Sequence, residues 1–132
     1  METNLWREAT HMWYMGWPSR GVPEDPSTII AFLIEARAFM RNPSGAAGAG
    51  ARQTPRAAPH VVHCSPGTGR AGTVLAIDLC IREFETTRQV DIPRTVYRLR
   101  RDRAGCVQTK EQYMFIYKVR QGAMRKFNSK GK

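Results

Sequence analysis

No run of eighteen apolar residues occurs in the chain, so the sequence offers no helix able to cross a bilayer. Its first ten residues, METNLWREAT, lack the basic-then-apolar profile of a signal peptide, and a cytoplasmic protein is the expectation. Cysteine is scarce. Cys64, Cys80 and Cys106 are odd in number and show no C-x-x-C spacing, which argues against a disulfide framework and a thiolate zinc site. No metal and no cofactor are expected. Acidic residues are also few, 11 against 21 lysines and arginines, and the net charge is +10. The excess lies mainly in residues 94–103 and 120–132. No nucleic-acid-binding motif accompanies it, so it reads as solvated charge capable of non-specific polyanion binding. There is no internal repeat, and nothing fixes the oligomeric state.

What is present suits one domain: 132 residues, 42% of them hydrophobic, enough for one modest core. His11 to Met15 is β-prone and predicts a short strand running into Trp17-Pro18. Asp25 or Ser27 can cap a helix whose apolar residues Ile29, Ile30, Leu33, Ala36, Phe39 and Met40 recur at helical spacing to about Arg41. Residues 42–59 are rich in Gly, Ala and Pro and carry no large apolar side chain, which predicts a flexible insertion. A second short strand is expected at His60 to His63. Ala71 to Phe84 is apolar nearly all round and predicts a covered central helix. Pro93 sits in the first turn of the next helix, with Val96 and Leu99 on one face and arginines on the other. Thr109 and Gln112 have capping-box spacing and start the last helix, which continues through Val119; the basic tail from Gly122 is expected to fray. The domain is expected to occupy residues 10–121, between an N-terminal extension, 1–9, and a tail, 122–132.

Between the second strand and the central helix stands the segment HCSPGTGRAGT, His63 to Thr73. A glycine-containing loop entering a helix can turn successive backbone N–H groups onto one tetrahedral oxyanion, and the helix N-terminus adds partial positive charge. A cysteine in that setting is a nucleophile candidate, here Cys64. Arg70 supplies a planar fork that can grip two phosphate oxygens. Ser65, Gly67, Thr68 and Gly69 contribute mainly backbone, whereas Pro66 has no N–H to give. Cys80 and Cys106 lack an activating neighbour and read as inert.

This segment resembles the signature loop of the protein tyrosine phosphatases, HC-x5-R followed by Ser or Thr. Trp17 to Pro23 resembles the family's mobile WPD loop, and Val107-Gln108-Thr109 through Gln112-Tyr113 its glutamine loop. The likeness runs from about Thr10 to about Val119 and corresponds to the C-terminal half of such a catalytic domain. It implies an α/β architecture, a partial tyrosine-phosphatase-like fold with short strands of a mixed sheet flanked by about four helices. It also implies phosphotyrosine-containing proteins as partners. In roles, it implies Cys64 as nucleophile, Arg70 as phosphate clamp, His63 as a support for the loop, and Gln108 and Gln112 as holders of the hydrolytic water.

Three positions depart from the family's pattern. Ser19 stands where the family has the aspartate that protonates the departing tyrosine oxygen, a task serine cannot perform near neutral pH. Ala71 replaces the Ser or Thr whose hydroxyl bonds the cysteine sulfur, and Pro66 replaces a common alanine. Arg20, next to Ser19, reads as an exposed loop cation. The expectation is a phosphotyrosine-directed protein with weak or absent hydrolysis that holds its substrate. Two alternatives stand beside it: an active phosphatase with its acid relocated to Glu24 or Asp25, and a non-catalytic basic interaction fragment.

Overall fold

Three of the four helix starts among the described residues follow local chemistry: a side chain accepts from an amide that a first turn leaves unpaired, and a proline, having no N–H, leaves one fewer to pair. The computed structural model describes residues 9–18, 21–41, 59–65 and 67–130. Four helices occur there, α1 (Pro26–Arg41), α2 (Gly69–Thr87), α3 (Ile92–Asp102) and α4 (Lys110–Lys130). Before α1, the Asp25 carboxylate accepts from Ser27 N at 2.9 Å and from Ser27 Oγ at 2.7 Å. Before α3, Asp91 accepts from Arg94 N at 3.0 Å, with Pro93 in the first turn. The capping box of α4 is reciprocal: Thr109 Oγ1 accepts from Gln112 N, and Gln112 Oε1 accepts from Thr109 N, both at 3.2 Å. Only Thr68, ahead of α2, gives no side-chain cap.

The buried face of each helix turns toward one core. Ile29 of α1, Ile77 of α2, Ile92 and Val96 of α3, and Phe115, Ile116 and Val119 of α4 are all sealed from solvent. α4 packs on α2 and α1, and α3 packs on α2. Trp17 joins this core edge-on to Phe115, with ring centroids 5.6 Å apart. The expected fraying from Gly122 is not what the structure has, because residues 122–130 stay in the last helix. α4 runs to Lys130 because Ala123 is still buried and Gly122 lies against Ile30.

The α/β expectation is overturned, since no strand forms among the described residues. His11 and His63 stack with ring centroids 5.6 Å apart, so the two segments expected to be strands do lie side by side. No ladder joins them. Trp13 and Met15 are each 73% exposed and Val61 is 83% exposed. β-propensity reports how well a side chain fits a pleated, half-covered surface, and among the described residues nothing covers these three side chains. The expected insertion, apart from Pro59, lies outside the described residues, as do Ser19, Arg20 and Pro66. Among the described residues no helix is long and apolar enough to cross a membrane.

One contact between α1 and α2 is ionic. The Arg37 guanidinium donates to Asp78 Oδ1 through Nε and Nη2, at 3.1 and 3.0 Å, and to both Glu85 oxygens through Nη1. Arg82 holds the other Asp78 oxygen at 2.9 Å. Hydrogen bonds to charged groups contribute about 1.5–3 kcal/mol each, less where water competes, and the Arg37 side chain is 13% exposed. Arg37→Ala is expected to lower stability by about 2 kcal/mol, read as a fall in the urea midpoint at unchanged slope.

Candidate functional site

The uncapped start of α2 faces the candidate cysteine. Ala71 N–H, in the first turn of the helix, donates to Cys64 Sγ at 3.3 Å. The amide and the positive end of the helix thus point at the position that an incoming anion would share with that sulfur. Between Cys64 and α2 the chain reverses through Gly67, whose φ of +90° suits glycine and strains other residues. Arg70 then folds back over the loop. Its Nη2 donates to Ser65 O at 2.8 Å and its Nη1 to Trp17 O at 3.4 Å, so one guanidinium ties the loop to the segment that leads into residues 19 and 20. Trp17 is fixed in turn by its own Nε1, which donates to Gly21 O at 2.9 Å.

The two glutamines meet the helix start from the other side. A Cβ placed on Gly69 would lie 3.0 Å from Gln108 Oε1 and 3.1 Å from Gln112 Nε2. Gln112 is fully buried. Its Oε1 accepts from Gln108 N and Thr109 N, while its Nε2 has no hydrogen-bond partner among the described residues. A buried donor left over in this way calls for a polar guest, because losing water without replacement costs about 1–3 kcal/mol. The structure thus brings Cys64, Ser65, Gly67, Gly69, Arg70, Gln108 and Gln112 around the start of α2. Thr68 borders the same region, against Gly105. His63 differs: it is exposed and its ring stacks on His11 rather than on the loop.

Three further contributors, one of them inside the glutamine-loop match, act through long-range contact or backbone conformation. Arg103, counted within a solvated charge run, places Nη2 3.4 Å from where a Gly67 Cβ would be. Gly72 lets the backbone of Cys106 and Val107 pass within 3 Å of where its Cβ would stand. Val107 itself has φ +59°, a conformation that costs a β-branched residue on the order of 1–3 kcal/mol. No short-range signal announces any of these, because each depends on residues more than thirty positions apart, or on backbone strain. Cys106 and Cys80 are buried, and burial pushes the Cys80 thiol up, against reactivity. Among the described residues no group of three His, Cys, Asp or Glu side chains could hold a metal ion.

Comparison with known proteins agrees with this geometry. The family model for protein-tyrosine phosphatase matches residues 2–121. Over 113 residues, 86% of this chain, the sequence is 38% identical to tyrosine-protein phosphatase non-receptor type 9 of Rattus norvegicus, covering 19% of that protein. Over the same share of this chain it is 37% identical to human receptor-type tyrosine-protein phosphatase C, covering 8% of it. A third relative, receptor-type tyrosine-protein phosphatase F of Danio rerio, is 39% identical and is covered over 5% of its length. The chain therefore spans about a fifth or less of the relatives it matches. A family match over most of the chain, with a Cys–Arg loop wrapped on a helix start, assigns the chain to the protein-tyrosine phosphatase family.

Proposed function

We propose that this chain binds phosphotyrosine at the start of α2 and hydrolyses it slowly, so that binding outlasts turnover. The observation that carries the reading is the Ala71 N–H directed at Cys64 Sγ, with Arg70 folded over the same loop. In the reaction, Cys64 Sγ attacks phosphorus as the bond to the tyrosine oxygen breaks, leaving a phosphocysteine and a phenolate that needs a proton. Arg70 and the amides of Ser65 and of residues 67–70 spread the phosphoryl charge. Water, oriented by Gln108 and Gln112, then cleaves the S–P bond and releases inorganic phosphate. Ser19 supplies no proton for the first step, and Ala71 has no hydroxyl to assist the second.

Relocation of the acid to Asp25 is opposed by its surroundings. The Ser27 hydroxyl and then the Ser27 amide hold the Asp25 carboxyl below the usual carboxylate range. A group ionised at lower pH than normal is a poorer proton donor near neutrality, and it is already engaged at the start of α1.

The test is an NMR titration of the full chain with vanadate, alongside turnover of a phosphotyrosyl peptide. Amides of Gly67, Thr68, Gly69 and Arg70 are expected to shift on saturation, and Arg70→Ala is expected to lose this response. Peptide turnover is expected to be slow. No shift at those amides sinks the binding site. Turnover at the rate of ordinary family members, abolished by Cys64→Ser, refutes the claim of impairment while leaving the site in place.

A further inference from the structure

Arg100, in the last turn of α3, carries a contact that neither a charge run nor a helix-end cation requires. Its Nε donates to Cys106 O and its Nη2 to Val107 O, each at 3.0 Å. One planar fork therefore fixes two consecutive carbonyls, and the second belongs to the buried residue with φ +59°. On its opposite side the same stretch is pressed against α2 at Gly72. The next amides, Gln108 N and Thr109 N, both donate to Gln112 Oε1. That pairing leaves Gln112 Nε2 turned toward Gly69, beside Gln108 Oε1.

We infer that Arg100 is a positioning residue for hydrolysis: by bracing the carbonyls of Cys106 and Val107 it holds the strained turn that aims Gln108 and Gln112 at the start of α2. The inference rests on the proposed role of those glutamines in the second chemical step. It assigns Arg100 no contact with substrate. Without the fork, the left-handed conformation at Val107 loses its restraint and relaxes toward the ordinary φ of a valine. The two glutamines then lose their shared register, while Cys64, Arg70 and the loop between them keep theirs.

Three variants of the full chain test this: Arg100→Met, which keeps the stem and loses the fork; Arg100→Lys, which retains one donor; and Arg101→Met, which removes equal charge from the same turn of α3. Amide hydrogen exchange at Gln108 and Thr109 is the first readout. Exchange is expected to quicken about tenfold or more in Arg100→Met and by an intermediate amount in Arg100→Lys, with Ile77 and Ile81 in α2 unchanged. Arg101→Met is expected to match the parent. Kinetics with an aryl phosphate bearing an acidic leaving group form the second readout. Loss of the second step lowers kcat, by about tenfold, at unchanged kcat/KM.

Unaltered exchange at Gln108 and Thr109 in Arg100→Met overturns the inference. So does an equal fall in kcat and kcat/KM, because that pattern belongs to the first step. Should Arg100→Met fail to fold, Arg100→Lys decides the matter by the same two readouts. Vanadate binding by the parent chain is scored separately. Its absence counts against the proposed function, whereas the exchange comparison still reads the brace.

Discussion

Gly72→Ala is expected to destabilise the chain, although it adds a methyl group inside a helix. Alanine is the best helix former, and in an open helix interior the change from glycine gains about 1 kcal/mol. At this position the gain is outweighed. The new Cβ would stand 2.8 Å from Val107 N and 2.9 Å from Cys106 Cα, both backbone atoms that cannot rotate aside. Overpacking ordinarily costs about 1–3 kcal/mol where side chains can adjust. With backbone on the receiving side, a net loss of about 3 kcal/mol or more is expected, a large part of the 5–15 kcal/mol typical of a folded domain. A chain that stays folded must push residues 106–107 away from α2, which moves Gln108 with them. The measurement is chemical denaturation of the two chains in parallel, with glutamine side-chain resonances followed by NMR. A raised or unchanged midpoint would mean that α2 and the turn lie farther apart than described.

Gly69→Ala makes an instructive contrast. Its Cβ would meet Gln108 Oε1 and Gln112 Nε2, the far ends of side chains, at 3.0 and 3.1 Å. Side-chain ends can swing where backbone cannot, although Gln112 is fully buried and its capping bonds resist movement. The two glycines sit three residues apart in one helix. Their costs differ because of what stands opposite.

Local chemistry made much of the molecule legible in the sequence. Apolar spacing locates α1 and α2, Pro93 locates the first turn of α3, and the Thr109–Gln112 box locates the start of α4, since each signal acts within a few residues. The loop from Cys64 to Arg70 is legible for the same reason. What could not be read depends on distant partners. Val61, Val62, Trp13 and Met15 have the composition of strands, yet a strand exists only when another chain segment pairs with it, and among the described residues no strand forms. Arg37 meets Asp78 across 41 positions and Glu85 across 48. Arg100 and Arg103 looked like neighbours in one solvated run. The fold gives them separate tasks, one at the carbonyls of Cys106 and Val107 and the other beside Gly67.

Restoring an acid at position 19 is the change with the largest expected effect on chemistry. General acid catalysis is worth about 100- to 10,000-fold, and Ser19→Asp is expected to raise turnover of a phosphotyrosyl peptide within that range. The gain should appear where the leaving group is a poor one. Tyrosine departs as a phenolate of high basicity and benefits from protonation, whereas an aryl phosphate with an acidic leaving group needs little help. The ratio of the two enhancements therefore reports proton donation rather than a general repair of the fold. A new descending limb at high pH should accompany the gain, as the introduced carboxyl loses its proton. Cys64→Ser in the same background is expected to remove the activity. Should Ser19→Asp leave peptide turnover unchanged while vanadate still binds, a later step is limiting. Position 71 is then the residue to change next, since its amide already reaches Cys64 Sγ at 3.3 Å and Ala71→Ser would put a hydroxyl beside it. If neither substitution accelerates the reaction, these two departures do not limit hydrolysis, and the cause proposed for an impairment fails.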